Sequence, residues 1–469
     1  MPLELRIPTT TIIISDEELH GKSLEQLFFR FGNQMAGELY VQSARILDEE
    51  LAESREKDRF VLKEVRERKI LTMMGPVTLK RRYYHDEKED RHCALLDEAL
   101  ELESRTRLSP ALRDVGAKLA TDMSYGQAAR VLKTILGERF SRQSIWNAVQ
   151  MFGETLKEET RAACEALFEH GRIEKPAKDH PECLFGEVDG CVISLQRQLM
   201  RKAEMKVGVW YEGWQKKPVA REEYELVHKR YVASGTSARD LWERMTVEGQ
   251  RRYGLSEVPH VYAGGDGASW IKAGASWMGA ERFKVDGFHL KRLLSRAFGF
   301  EGLTRVVGQL QAGQHDDAMK TLAGKAIAEP DEGKREQMAK AMHWVMEQRG
   351  NLERIVFPKK EKSELLWRQL GTMERHADLV VAERFKKRGM SWSPDGAENL
   401  LLLRVRKLNG EWPETWQPKA SAPQSVIMEN RPSFRKPPLP IVQAGLAEAN
   451  SAKRWSISLK RVIQGKVWE

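Results

Sequence analysis

Asp189, Asp266 and Glu374 are the residues whose settings best fit chemistry on a phosphodiester. Asp189 sits inside an apolar run made by Leu184, Phe185, Val188, Val192 and Ile193. A charge there is costly unless it is paired or bound to a metal. Asp266 ends a predicted strand among Gly264, Gly265 and Gly267, small neighbours that let a metal and a nucleic acid approach the backbone. Glu374 opens a predicted helix whose Met373, Ala377, Val380 and Val381 would pack on a sheet. Three carboxylates converging at one sheet edge are a donor set for two Mg²⁺ (or Mn²⁺) ions, which prefer carboxylate oxygens and cut phosphodiesters in pairs. Each acid also has a plainer reading. Asp-Gly is a turn signal, and a glutamate in the first turn suits the helix dipole. Glu187 shares a strand face with Asp189 and competes with it. Glu361, Glu364 and Glu383 compete with Glu374.

The elements around these acids form a recognisable order. Strands are predicted at 184–195, 205–214 and 224–232, then a helix at 237–253 and a strand at 260–263 that ends at Asp266. A short strand at 282–285 precedes Asp286-Gly287-Phe288-His289 and another helix. Three strands, a helix and a strand open an RNase H-like mixed sheet, giving an α/β core. Residues 290–348 read as almost entirely helical, broken at Glu329-Pro330-Asp331-Glu332-Gly333.

The region before this core is mainly helical. Residues 24–65 read as one or two long helices, followed by a small hairpin around Gly75-Pro76 whose second strand carries Lys80, Arg81 and Arg82. Ser124 can cap a helix that Gly137 stops, and Ser141 can cap the next. That is a helix-turn-helix outline. Ile145, Trp146 and Val149 are expected in its core, leaving Arg142, Gln143 and Asn147 for phosphates and base edges. An ordinary helical hairpin has the same outline.

Composition agrees with a nucleic-acid partner without requiring one. The net charge is +9. Residues 401–469 hold twelve Lys and Arg against five Asp and Glu, a net of +7, among several prolines. That tail reads as extended until it meets a partner. Four cysteines without a C-x-x-C pair make neither a disulfide framework nor a zinc site, and read as reduced thiols. No signal peptide and no apolar run of membrane-spanning length is visible, so the expected location is the cytoplasm, with no membrane partner.

The motifs together resemble a known family. Glu187-Val-Asp-Gly190, Gly265-Asp-Gly-Ala-Ser-Trp-Ile271, Asp286-Gly-Phe-His289 and Gly371-Thr-Met-Glu-Arg375 are similar to those of a bacterial insertion-sequence transposase family of the Lre-two type. So are Arg384, Lys386, Arg388-Gly389 and Ser391-Trp392-Ser393. That family is also described as uncharacterised transposase-like proteins and is related to Mutator-type DDE transposases. The likeness runs over nearly the whole chain. It implies catalysis by Asp189, Asp266 and Glu374, with His289 near the scissile phosphate or the second acid. It also implies a helical insertion in the 108 residues between Asp266 and Glu374. The implied partners are the element's terminal repeats and target DNA, and joining two ends implies at least a homodimer.

The expected segments are helices and hairpin (1–100), a helix-turn-helix-like DNA-binding region (101–178), and the first part of the catalytic domain (181–289). The helical insertion (290–365), the last part of the catalytic domain (366–410) and the basic tail (411–469) follow. The competing expectations are a catalytically silent DNA-binding relative and another RNase H-like nuclease. Trp270, Trp344 and Trp392 read as core aromatics ahead of base-stacking platforms.

Overall fold

The computed structural model describes residues 14–15, 21–174, 177, 180–218, 223–414 and 425–427, with Arg388 and residues 425–427 described by backbone alone. Most of the basic tail lies outside these residues. The chain divides into two compact units, 1–151 and 152–469, whose boundary falls inside a helix rather than in the loose stretch at 171–180.

In the first unit, α1 (Gly21–Ser54) is followed by an antiparallel sheet of β1 (Phe60–Thr72), β2 (Gly75–Asp86) and β3 (Arg91–Cys93). The helical expectation over 55–65 is therefore wrong. Lys63, Glu64, Arg66 and Glu67 favour a helix by propensity, but β1 pairs with β2 along almost its whole length and that pairing wins. Ala44 of α1 joins Ile70, Val77 and Leu79 of the hairpin and Leu96 of α2 (Leu95–Ala99) in one core. Next come α3 (Pro110–Ala120), α4 (Tyr125–Leu136) and α5 (Arg142–His170). Ser109 caps α3 with proline at its start. Ser124 and Gln127 form a capping box on α4, and Gly137 ends it in the left-handed conformation.

The second unit begins with short β4 (Arg172–Glu174) and is organised on one five-stranded sheet. β5 (Cys183–Ser194), β6 (Lys202–Tyr211), the small hairpin β7 (Gly213–Lys216) and β8 (Tyr224–Val227), and β9 (Arg230–Ser234) come first. The third expected strand is thus split, and only β9 enters the main sheet. Then follow α6 (Ala238–Tyr253), β10 (His260–Gly265), α7 (Ser269–Gly274) and β11 (Arg282–Val285). The strand order is β11-β10-β5-β6-β9. β5, β6 and β9 are antiparallel, whereas β10 and β11 run parallel to β5. As the central strand, β5 is covered on both faces, which is why it reads as a nearly continuous apolar run.

One face packs under α6 and α7, where Leu241, Trp242 and Met245 meet Leu184, Val188 and Trp210. The fit is tight. A Cβ at Gly274 would overlap the indole of Trp242, itself fully buried. Gly274→Ala is expected to destabilise the protein by about 2–3 kcal/mol in urea unfolding, the cost of overpacking a closed core.

Beyond β11, α8 (Gly287–Phe298), α9 (Leu303–Gln311), α10 (His315–Ala328) and α11 (Glu332–Leu352) share a core that includes Val285, so this helical block is rooted on the sheet's edge strand. Lys284 ties its far end down by donating from Nζ to the carbonyls of Leu352 and Glu353 at the end of α11. Burial pulls that ammonium down to about 8. The chain then returns past the small hairpin, where Leu366 and Trp214 exchange two backbone hydrogen bonds of 2.9 Å. It finishes in α12 (Met373–Ala377), one turn of π-helix (Asp378–Ala382), α13 (Glu383–Phe385) and α14 (Pro394–Leu408).

Candidate functional site

The parallel register sets up the site. Val188 of β5, Gly265 of β10 and Val285 of β11 stand side by side. The next residue of each strand is an aspartate: Asp189, Asp266 and Asp286. Asp266 and Asp286 therefore follow the carboxyl ends of β10 and β11, and Asp189 lies beside them on β5 where its parallel pairing stops, the usual ligand-binding edge of an α/β sheet.

Asp189, His289 and Glu374 offer ligand atoms that all lie within 4.8 Å of one another. Asp189 is 7% exposed, His289 half-buried and Glu374 exposed. Asp266 is outside that tightest group. Its Oδ1 accepts from the backbone N–H of Ala268 at 2.7 Å, closing a local turn. Its charge still acts on both Asp189 and His289. Burial, reinforced by the charges of Asp266 and Glu374, raises the Asp189 carboxyl from 3.8 to about 6. This is a carboxylate cluster that lacks enough positive charge of its own.

His289 is held by Asp286. Asp286 caps α8 with Oδ1 on the N–H of Phe288 at 2.9 Å, and its Oδ2 lies 3.3 Å from His289 Nδ1. That contact raises the His289 pKa despite its burial and leaves the other ring nitrogen for the acid cluster. Sequence reading singled out His289 and gave Asp286 no role of its own, although the Asp-x-x-His spacing at a helix start carries the signal.

Glu187 does not substitute for Asp189. Its carboxylate is fully buried and already saturated. Oε1 accepts from the Tyr211 hydroxyl at 2.5 Å and the Thr372 hydroxyl at 2.7 Å. Oε2 accepts from the N–H groups of Gly371 at 2.8 Å and Thr372 at 2.9 Å. Glu187 thus ties β5 to the turn that launches the helix carrying Glu374. Gly371 has φ +138° there, and a Cβ would press on Asp286 Oδ1, so glycine is required on two counts. Gly264 and Gly265 do not open a path to the backbone as expected. Leu370 and Ile271 occupy the space beside them.

The π-turn after α12 releases backbone carbonyls, and buried Arg404 from α14 takes them up. Its Nε donates to Val380 O at 3.0 Å and its Nη2 to Leu379 O at 2.6 Å. Arg404→Leu is expected to cost about 3 kcal/mol in urea unfolding, because two buried carbonyls lose their donor.

Among the expected DNA contacts in the first unit, Arg142, Gln143 and Asn147 are exposed on α5. Gln143 donates to Asn147 Oδ1 at 2.9 Å. Ile145 and Val149 are buried. Trp146 is not: it is exposed beside Gln143 and Asn147, and it adds an aromatic to that face. Of the three hairpin cations, Lys80 is exposed and lies 3.9 Å from Glu67. Arg81 pairs with Asp97 at 3.2 Å and Arg82 with Asp48 at 2.6 Å, so both are spent inside the unit. Trp392 is core, donating to Phe385 O at 3.0 Å. Trp270 packs on Trp242. Trp344 is half-buried against the helical block's core and Gly267. No helix among the described residues is long and apolar enough to cross a membrane.

A UPF0236 protein of Caldanaerobacter subterraneus subsp. tengcongensis is 22% identical over 391 residues, covering 82% of this chain and 78% of the relative. Another from the same organism, whose name joins eleven loci, is 22% identical over 391 residues, 82% of this chain and 77% of the relative. A UPF0236 protein of Streptococcus gallolyticus, named for the vanSb 3′ region, is 24% identical over 406 residues, 83% of this chain and 84% of the relative. The profile described as "Uncharacterised protein family (UPF0236)" matches residues 14–417, and the chain belongs to that family.

Proposed function

We propose that this protein is a DNA transposase of an insertion sequence, of the DDE type, that hydrolyses phosphodiesters at element ends and transfers the freed 3′-hydroxyl to target DNA. The observation that carries the reading is the convergence of Asp189, Glu374 and His289 within 4.8 Å, with Asp266 charging the same cluster from the neighbouring strand. The sheet order, three antiparallel strands continued by two parallel ones, is the arrangement expected of an RNase H-like core. The helical block between Asp266 and Glu374 has the place of the insertion that the motif resemblance implies. One relative's name joins eleven loci of a single organism, as expected of a gene that copies or moves itself.

The donor set fits hard divalent ions: oxygens from three carboxylates, with a carboxyl at Asp189 that its own surroundings leave short of positive charge. Asp189, Asp266 and Glu374 would hold two Mg²⁺ or Mn²⁺ ions, which when bound activate the attacking oxygen and stabilise the leaving one. Asp286 fixes the ring of His289, whose second nitrogen can donate to a phosphate oxygen at the cluster. Glu187 and Thr372 keep Glu374 in register with β5. In the first unit, Arg142, Gln143, Trp146 and Asn147 are the surface offered to duplex DNA.

The test is cleavage of a labelled duplex carrying the DNA that flanks this reading frame, with Mg²⁺ or Mn²⁺. Nicks at the element ends that vanish in Asp266→Asn and Glu374→Gln, with DNA binding retained, are the expected result. Binding without cutting under either metal would leave a catalytically silent DNA-binding relative instead.

A further inference from the structure

The hairpin that joins β5 to β6 is longer than the sheet needs. β10 pairs with β5 only through Val188, and β9 pairs with β6 only from Lys206 onward. β5 and β6 nevertheless stay paired out to Ser194 and Lys202. A two-stranded ribbon therefore extends past β10 and β9 from the sheet edge that carries Asp189, braced near its end by Trp392. From Asp189 its strand runs five more residues, so the tip stands about 20 Å from the acid cluster at the usual strand rise. That is about six base pairs along a duplex.

The tip has an unusual surface. Leu199 and Met200 are 104% and 75% exposed. Arg197, Arg201 and Lys202 flank them, also exposed, and the nine residues 195–203 contain no acid. Among the described residues no ion pair engages these three cations. Lys206, nearer the cluster, differs: it pairs with Glu204 at 3.3 Å. The base of the loop is firm. Leu195 N donates to Arg201 O at 2.8 Å, Gln196 N to Trp392 O at 2.9 Å, and Trp392 N to Ser194 O at 3.0 Å. A rigid stalk thus presents two flexible apolar side chains inside a ring of positive charge.

We propose that this hairpin tip is a DNA-gripping site: Arg197, Arg201 and Lys202 hold backbone phosphates while Leu199 and Met200 press between base pairs and bend the duplex beside the cut. Cations beside an unpaired apolar tip complement a polyanion whose interior is apolar stacked bases. Leu and Met are among the side chains that wedge base steps apart and kink DNA. The proposal rests on the DNA-cleaving reading of the neighbouring acids. Its test is separate, because binding and bending are read with EDTA present and need no cleavage.

The probe is a mixed-sequence duplex of about 30 base pairs, short enough to resist bending by itself, labelled at both ends for energy transfer. Arg197→Gln/Arg201→Gln/Lys202→Gln should weaken binding at least about tenfold and reduce the slope of log affinity against log salt by about three. Leu199→Ser/Met200→Ser should bind within a few fold of wild type with an unchanged salt slope, yet lose the rise in energy transfer that reports bending. All five positions are exposed, so the variants should melt with wild type. If the triple variant keeps the wild-type affinity and slope, the tip does not hold phosphates and the proposal is overturned, as it is if the tip serves a second copy or a membrane. If the Leu199/Met200 variant still bends DNA as wild type does, the wedge is overturned. A failed cleavage assay would leave these outcomes readable, and a failed tip would leave the acid cluster's chemistry intact.

Discussion

On the proposed transposase reading, Asp189→Asn is expected to remove metal-dependent DNA cleavage, by about a thousandfold or more, and at the same time to make the metal-free protein harder to unfold at neutral pH. Both effects come from one cause. Asp189 is buried among carboxylates, with its carboxyl raised from 3.8 to about 6. Its ionised form is therefore a source of instability that a bound cation would relieve. A raised carboxyl means the folded state holds the proton more tightly than the unfolded chain. Stability contributed by that proton is complete below about pH 4, declines as pH rises, and is gone above about pH 6. Raising it from 3.8 to about 6 corresponds to about 3 kcal/mol. The variant and wild type should accordingly unfold alike near pH 4 in EDTA. The variant should gain a lead between pH 4 and 6 and hold it above. Thermal melts across that range check the stability claim, and strand cleavage checks the catalytic one. A variant less stable than wild type at pH 7.5 would refute the charge-frustration account. Such an exchange of stability for function is common at active sites.

Glu187→Gln is expected to lose both stability and cleavage, about 3 kcal/mol in urea unfolding, although Glu187 contacts no substrate in this account. All four of its hydrogen-bond partners are donors: the hydroxyls of Tyr211 and Thr372, and the N–H groups of Gly371 and Thr372. A carboxylate accepts from all of them. An amide turns two of its own donors against them, inside a fully buried site where mismatched polar groups are costly. The loss should extend to Glu374, because Gly371 and Thr372 form the turn from which its helix starts. Asp189→Asn and Glu187→Gln thus change stability in opposite directions while both abolish cleavage. That contrast separates a metal ligand from a positioning residue two places away on the same strand face. Thr372→Val, which deletes one of the four donors, should give a smaller loss of the same sign.

Much of this arrangement is legible in the sequence because local signals and tertiary packing agree. Ser124, Gln127 and Gly137 announce α4 and cap it. The apolar run around Asp189 marks the central strand, covered on both faces. Where non-local contacts decide, sequence reading falls short. Phe60–Lys69 has the composition of a helix and becomes a strand through pairing with β2. Arg81 and Arg82 look like phosphate contacts, but acids 16 and 34 residues away in sequence take them. Trp146 has a core side chain's chemistry and lies exposed. Glu187 and Asp189 are equivalent by spacing, and only the turn at Gly371-Thr372 separates their roles. Asp266 stands at the expected strand end, yet its carboxylate is turned to Ala268 N–H and the tightest group takes in His289 instead.

The most direct measurement is Mn²⁺ binding to the full chain by isothermal titration. The account predicts saturable binding of about two ions per chain, lost or strongly weakened in Asp189→Asn and Glu374→Gln and unchanged in Arg197→Gln. No saturable binding, or binding that survives both acid substitutions, would contradict it.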